Sequence, residues 1–258
     1  MSQMRKATWL VPSSLAVTAA LGVTGWWLHS AAQPVELALY FHPFVGQQPL
    51  VLNEPRYPNP GGEGRFKVRD FQFFLSNIRL LSAAGAFVEP DSYHLVRFDG
   101  EEPGFVIMLH DVPRRNYERI EFGIGVDAVA NRSLKSRGDL DPNGRMAWTW
   151  EVGYKFVLFE GTLQRGNASD PLVYHVGFDE NYRPISAELH RDPLDNRPAR
   201  LDFRVDLLRL FQGPTNINMA ALPSVKFDRA DAALLGRNFA SLVTPMWPDA
   251  ASRADRTH

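Results

Sequence analysis

The sequence predicts an all-β fold: one β-sandwich-like domain with few short helices, one of them near the C-terminus. Three observations support this. Apolar runs of strand length recur along the chain, turn-forming residues separate them, and helical periodicity is clear in only one segment. Strands at such spacing are typical of sandwiches and related all-β folds. The chain has no cysteine, so the domain has to rest on its hydrophobic core rather than on disulfides.

The N-terminal segment is distinct from this domain. The basic pair Arg5-Lys6 precedes an uncharged apolar run, Ala7–Leu28, and the small residues Ser30-Ala31-Ala32 follow. This order is typical of an export signal with a cleavage site, although a run of about 20 residues could also span a bilayer as an uncleaved anchor. We therefore expect a signal peptide or N-terminal anchor over residues 1–32. Residues 33–258 would form a periplasmic domain that touches the membrane only through this segment, if it is retained.

The charge balance of the predicted domain argues against a nucleic-acid partner. Without its first 32 residues the chain keeps 26 of its 28 basic residues and all 29 acidic ones. A slightly acidic domain gives no general attraction to phosphate backbones. Because cysteine is missing, a site for a soft metal would have to use histidine, methionine or a less usual ligand.

The predicted strands follow one another in order, with turn residues between them. Eight runs have the length and apolar content of strands: Val35–Phe41, Arg65–Leu81, Ser92–Phe98, Gly104–Leu109, Arg119–Val126, Met146–Glu160, Val173–Phe178 and Ala199–Leu207. Clusters such as Pro58–Gly62 and Asp141–Gly144 are typical of turns. This arrangement favours a single β domain.

The clearest helix is predicted near the C-terminus, at Arg229–Leu242. Asp228 can cap its first turn, and Leu235 and Phe239 belong to an apolar stripe at helical spacing. We expect this helix to pack on the sheet. The polar tail after Pro248 is expected to be frayed.

The densest group of unusual residues is the segment Gly138–Tyr154. It contains an acidic turn, Asp139–Gly144, followed by Trp148 and Trp150. In a strand, residues two apart point to the same face, so the two indoles would line one surface. The turn matches the first half of a calcium-binding loop, but the twelfth position, which needs a carboxylate, is Trp150. The alternative to calcium is a plain Asx turn.

Three histidines lie in apolar, strand-like sequence, each directly after an aromatic residue: His42, His94 and His175. A histidine in such a setting is either a hydrogen-bonded core residue or a ligand held by a stiff strand. His110 and His190 stand in more polar sequence and are weaker candidates. Three such histidines in a chain without cysteine strengthen the case for a metal site, and a structural role stays the alternative.

Motifs of known catalytic centres are missing from the sequence. It contains no GxSxG, HExxH, phosphate-loop or CxxC pattern, so we expect that the protein is not an enzyme. Two alternatives stay open. One is an exported redox or hydrolytic enzyme. The other is a structural β domain without metal, in which the histidines and tryptophans are core residues.

Several short segments between Val35 and Gly177 follow the order of one known family. They are Leu39–His42 with Val45–Leu50, Phe74–Ile78, Tyr93–Val96, Gly123–Asp127, Gly138–Tyr154, Glu160-Gly161 and Tyr174–Gly177. Together they resemble the MbnP-like family of exported copper-binding proteins, which occurs in methanobactin operons and metallo-mystery pair systems. The long tryptophan segment makes the resemblance specific. Ala147 and Glu151 depart from the family pattern, which has an aromatic residue and asparagine at these places.

The resemblance implies a periplasmic, mainly β protein that binds one copper ion for storage, handover or homeostasis. Its ligands would be histidines and a kynurenine made by oxidation of a tryptophan. A di-haem, cytochrome c peroxidase-like partner (MbnH-like) would carry out that oxidation.

Carried onto this chain, the resemblance gives a specific set of site residues. The metal ligands would be His42, His94 and His175, and the modified residue would be one of Trp148 and Trp150. Asp127 and Glu160 are the candidate carboxylates that would accept hydrogen bonds from ligand imidazoles and so orient them.

Overall fold

The computed structural model describes residues 33–98, 104–148, 152–195 and 197–247. The expected leader (1–32), Trp150 and the expected frayed tail lie outside the described residues. Among the residues that are described, no helix is long and apolar enough to cross a membrane.

Fourteen strands make up about half of the described chain. In order, they are β1 (Val35–Val45), β2 (Gln48–Pro49), β3 (Tyr57–Pro58), β4 (Arg65–Ser82), β5 (Gly85–Val88), β6 (Tyr93–Arg97), β7 (Phe105–Val112), β8 (Arg119–Ile124), β9 (Lys155–Arg165), β10 (Ala168–Gly177), β11 (Arg183–Glu188), β12 (Arg200–Asp206), β13 (Ser224–Val225) and β14 (Val243–Met246). They form two sheets, so the predicted all-β class is confirmed.

The smaller sheet, sheet A, has β1 at its centre. Strand β12 pairs with β1 in parallel, from Ala38 opposite Arg200 to Phe44 opposite Asp206. Strands β7 and β2 pair with β1 in antiparallel fashion, and β14 adds to the far side of β12. The sheet therefore joins the first strand of the domain to two of its last.

The larger sheet, sheet B, is organised around the long strand β4. Its main order is β11-β8-β4-β9-β10-β13. Strands β3, β5 and β6 also pair with β4. Gln72 lies opposite both Leu158 of β9 and Arg97 of β6, so these two strands occupy opposite edges of β4.

The core lies between the two sheets. Along β1 the side chains of Leu37, Leu39 and Phe41 are buried, as expected for alternate residues of a half-buried strand. The Phe41 ring stacks on Phe203 of β12, 5.1 Å away. Phe203 in turn meets Phe122 of sheet B edge-on at 5.8 Å. One continuous apolar cluster thus holds sheet A on sheet B, which agrees with the predicted sandwich.

Among the described residues, two α-helices lie outside the sheets, α1 (Ala128–Asn131) and α2 (Arg229–Gly236). The Asp228 carboxylate accepts a hydrogen bond from Asp231 N at 2.9 Å, which confirms the predicted cap. Helix α2 is shorter than predicted and is followed by a 3-10 turn, Phe239–Ser241, and by β14. Asn238 lies between the helix and the 3-10 turn, and its buried side-chain amide bonds to the backbone of Leu210 and Thr215. These tertiary contacts fix the chain at the point where the helix ends.

The prediction of one strand over Met146–Glu160 is wrong for the described residues 146–148 and 152–154. Strand β9 begins only at Lys155. Ala147 N donates to Gly144 O at 3.0 Å, and Trp148 N donates to Gly153 O at 2.9 Å. These bonds close a loop. Gly153 takes part in it with φ +83°, a backbone conformation that glycine adopts easily. Period-two alternation therefore does not describe Trp148.

Candidate functional site

Residues 138–148 and 152–154, here called the tryptophan loop, lie along sheet B. Its first part follows the edge of β6, where Leu95 N donates to the Asp139 carboxylate at 2.8 Å. In the acidic turn, Asn143 N donates to Asp141 Oδ1 at 2.8 Å. This is the geometry of an Asx turn, the alternative to calcium.

The indole of Trp148 packs in an aromatic group. Its ring centroid is 5.6 Å from that of Phe178 and 5.2 Å from that of Phe227. Phe227 itself is 64% exposed, so the group reaches the protein surface. On its other side the indole lies against Gly177 of β10, since a β-carbon there would be 2.9 Å from Trp148 Cζ3.

His175 lies two residues before Gly177 on β10. The β9–β10 pairing is irregular here, but the extra residue lies in β9, between Lys155 and Val157, so β10 keeps its alternation. Tyr174 and Val176 are buried, and His175 and Gly177 therefore share the opposite face of sheet B, where the indole lies. The His175 side chain is 15% exposed, and its Nε2 lies 2.9 Å from Glu160 Oε1. Strand β10 therefore brings His175 and Trp148 to one surface.

The charges and hydrogen bonds around Glu160 and His175 determine the protonation state of both side chains. Burial alone would raise the pKa of Glu160, but hydrogen bonds from Arg69 and His175 and the charge of Arg145 bring it down to about 2. Burial lowers the pKa of His175, outweighing the hydrogen bond to Glu160, which would raise it. The carboxylate is thus ionised and can only accept, so Nε2 of the neutral imidazole carries the proton. The Nδ1 lone pair remains for another partner.

The other two histidines also place Nε2 on a carboxylate. His42 is 2.7 Å from Asp202 Oδ1, and His94 is 2.8 Å from Glu89 Oε2. Carboxylates often accept a hydrogen bond from an imidazole whose other nitrogen binds a metal. The same hydrogen bond also forms in part-buried sites that hold no metal. The pairing alone therefore does not distinguish the three histidines.

The structure does not bring His94 and His175 together. His94 lies opposite Leu75 of β4. His175 lies opposite Leu158, which lies opposite Gln72 of β4. Gln72 and Leu75 are three residues apart on one strand and so point to opposite faces. The two imidazoles therefore lie on opposite faces of sheet B.

His42 is separated from both, because it belongs to sheet A. Its neighbour Phe41 points into the core, so His42 faces outward, beside Asp202. Within residues 33–98, 104–148, 152–195 and 197–247, no group of three or more His, Asp or Glu side chains is arranged to hold a metal ion. Of the three histidines, His175 is the one that shares a face with Trp148.

The two carboxylates expected to orient imidazoles have different partners. Glu160 contacts His175, whereas Asp127 Oδ2 accepts hydrogen bonds from Tyr93 Oη at 2.6 Å and Asn77 Nδ2 at 3.1 Å. Asp127 Oδ1 caps helix α1. Asp127 therefore joins β4, β6 and α1 rather than orienting an imidazole.

Sequence reasoning missed the basic residues around this site. Arg145 Nη2 donates to Glu160 Oε2 at 3.0 Å, and Arg145 Nη1 donates to Asp70. Arg69 donates to the same Glu160 oxygen. Nothing in the sequence marks the half-exposed Arg145. Its carboxylate partners, Asp70 and Glu160, come together only when β4 pairs with β9.

A surface groove of about 430 Å³ runs beside the tryptophan loop. Trp148, Tyr154 and Leu134 contribute apolar walls, and Asn143 and Arg132 contribute polar ones. The Tyr154 hydroxyl is buried and has no hydrogen-bond partner among the described residues. The groove therefore borders Trp148.

Comparison with known proteins agrees with this architecture. The MbnP family model matches residues 34–227. The chain is also similar in structure to MbnP from Methylosinus trichosporium, with 17% sequence identity and a TM-score of 0.52, over 75% of this chain and 81% of that one. At this identity the likeness establishes the fold. Comparison with curated sequences gives no match. Since the family model spans most of the described sequence, the chain belongs to the MbnP family.

Proposed function

We propose that this protein is an exported copper-binding protein of the periplasm. It holds one copper ion at the outer face of sheet B for storage, handover or homeostasis, without catalysing a reaction itself. The observation that carries this proposal is the His175 imidazole, whose Nε2 is committed to Glu160 and whose strand carries Gly177, against which Trp148 packs. Imidazole nitrogen suits copper.

A tryptophan-derived ligand would complement this imidazole. Oxidation of an indole to kynurenine opens the pyrrole ring and leaves an aryl amine, a second nitrogen donor in a chain without cysteine. Trp148 is well placed for this role, because it lies over Gly177 on the strand face that carries His175. Trp150, outside the described residues, is the other candidate. A di-haem, cytochrome c peroxidase-like protein would accept the four electrons of this oxidation, in which the indole C2 leaves as formate and water supplies the oxygen. Trp148 is itself partly exposed, so a partner protein can reach it.

Copper content after single histidine substitutions tests the proposal. We expect His175→Ala, produced in the native host, to lose most of its copper, because the substitution removes the imidazole on the strand against which Trp148 packs. His110→Ala is the matched control, since this side chain is 67% exposed and pairs only with Glu36. Elemental analysis of the purified proteins gives the result. Stoichiometric copper in His175→Ala would overturn the proposal.

The histidines on other faces provide a second comparison. His42 and His94 are each paired with a carboxylate but lie away from Trp148. We expect their alanine variants to retain more copper than His175→Ala does. Equal losses in all three variants would instead favour a site that draws on all three imidazoles.

A further inference from the structure

Two side chains attach the tryptophan loop to sheet B: Asp139 accepts from Leu95 N of β6, and Arg145 reaches the strands on the other side. Its guanidinium reaches Asp70 of β4 through Nη1 and Glu160 of β9 through Nη2. Asp70 and Glu160 lie directly opposite each other in the sheet. A planar guanidinium can bond two carboxylates at once, so Arg145 bridges neighbouring strands and fixes the loop above them.

The backbone beside Arg145 is held at the same place. Lys155 Nζ donates to Arg145 O at 2.6 Å, and Lys155 N donates to Met146 O at 2.7 Å. Met146 is itself buried. By contrast, the Trp148 backbone N–H bonds within the loop, to Gly153 O. The anchorage of residues 145–146 therefore helps to set the position of the indole relative to the sheet, together with its packing on Gly177.

Glu160 connects this anchorage to His175. One carboxylate oxygen, Oε1, contacts the imidazole, and the other, Oε2, accepts from Arg145. The same carboxylate thus orients His175 and holds the loop that carries Trp148. This arrangement fixes the indole and the imidazole relative to each other through one shared group.

We propose that Arg145 is a positioning residue, which holds the tryptophan loop on Glu160 so that Trp148 stays beside His175. This rests on the proposed function, because the relative position of the two side chains matters for a shared copper ion. Arg145 touches neither ring. It acts through Glu160 and through the backbone of the loop.

The chain supplies a matched control in Arg69. Both arginines donate to Glu160 Oε2, but Arg69 belongs to β4 and carries no part of the loop. Arg69→Met therefore removes a comparable charge from Glu160 and leaves the loop anchored. Arg145→Met removes the charge and the anchor together. Arg145→Lys keeps the positive charge but loses the planar guanidinium that bonds Asp70 and Glu160 through two different nitrogens.

Hydrogen exchange and copper spectroscopy on the full-length variants test the proposal. We expect Arg145→Met to speed amide exchange over residues 144–148 at least tenfold, and to change the electron paramagnetic resonance spectrum of added Cu(II). Arg69→Met should match the wild type in exchange over residues 144–148 and change the spectrum much less than Arg145→Met does, and Arg145→Lys should fall between the two. Equal behaviour of Arg145→Met and Arg69→Met would overturn the proposal.

The same experiment separates this proposal from the proposed function. If the wild type binds no copper, the proposed function fails, whereas exchange over residues 144–148 still decides whether Arg145 anchors the loop. If Arg145→Met does not fold, Arg145→Lys decides instead: exchange and spectrum identical to those of Arg69→Met would overturn the positioning role.

Discussion

The indole of Trp148 lies directly against the α-carbon of Gly177. A β-carbon at Gly177 would be 2.9 Å from Trp148 Cζ3 and 2.5 Å from the carbonyl oxygen of Tyr154. Both distances are shorter than real contacts, so any side chain at Gly177 must displace the tryptophan loop. Glycine at this position is therefore what allows the indole to approach the strand that carries His175.

We expect Gly177→Ala to destabilise the protein by about 1–3 kcal/mol, the usual cost of forcing a methyl group into a packed site. The variant should also retain less copper, because the indole moves away from His175. Denaturant unfolding and elemental analysis measure the two effects. Gly62→Ala is the control, since the nearest atoms there belong to side chains of Asn218 and Asn59. Equal stability of the two variants would contradict this explanation.

The buried amide of Asn238 should be one of the most sensitive positions in the domain. Its Nδ2 donates to Leu210 O and Thr215 O, and its Oδ1 accepts from Thr215 N at 3.0 Å. Asn238→Leu leaves three backbone groups without these partners, at a cost of about 3 kcal/mol or more. Urea unfolding measures the loss. Asn167→Ala, in the exposed β9–β10 turn, should change stability by less than about 0.5 kcal/mol.

Asp127 should make stability depend on pH. Burial alone would raise the pKa of Asp127, but hydrogen bonds from Tyr93, Asn77 and the start of α1 lower it below the ordinary value of 3.8. A carboxyl group with a lowered folded-state pKa stabilises the protein above its unfolded pKa, and loses that contribution as pH falls through the folded value.

The comparison of wild type with Asp127→Asn isolates this effect, because asparagine still caps a helix but cannot ionise. We expect the wild type to be more stable at pH 5–7, and the difference to shrink below about pH 4. Thermal unfolding at a series of pH values measures the difference. A gap that stays constant down to pH 2.5 would rule out Asp127 as its source.

Mass spectrometry can locate the proposed kynurenine. Trypsin cleaves after Arg145 and Lys155, so both tryptophans fall in one peptide, residues 146–155. Kynurenine formation adds about four daltons, since one carbon is lost and one oxygen gained. We expect this shift in protein from the native host, and we expect Trp148→Phe to remove it. A shift that persists in Trp148→Phe belongs to Trp150, and an unshifted wild-type peptide contradicts the modification.

The sequence predicted those strands whose own apolar pattern is strong. Strands β1, β4, β8 and β12 carry runs of buried aliphatic and aromatic residues. Strand β11 was missed, because Ile185 is its one large apolar residue and its order is set by pairing with β8. Strand β14 was missed because Pro245 suggests a break, although proline is tolerated on an edge strand.

The site was less predictable than the fold, because it depends on pairing between distant strands. Glu160 and His175 lie on the two strands of one hairpin, β9 and β10, so local register brings them together. The contact of His42 with Asp202 joins residues 160 positions apart, and no local pattern reveals it. The opposite orientations of His94 and His175 follow from their registers on the two edges of β4, which spacing along the chain does not give.

The parallel pairing of β1 with β12 has a consequence for folding. Their contacts join the first strand of the domain to residues about 160 positions later, and such non-local pairing slows folding. A chain delivered N-terminus first would present β1 with one unprotected edge until residues 200–206 arrive, and exposed edges invite wrong association. Sheet A is therefore complete only when the last quarter of the chain has been delivered. A stalled or truncated molecule that lacks β12 leaves one edge of β1 unpaired.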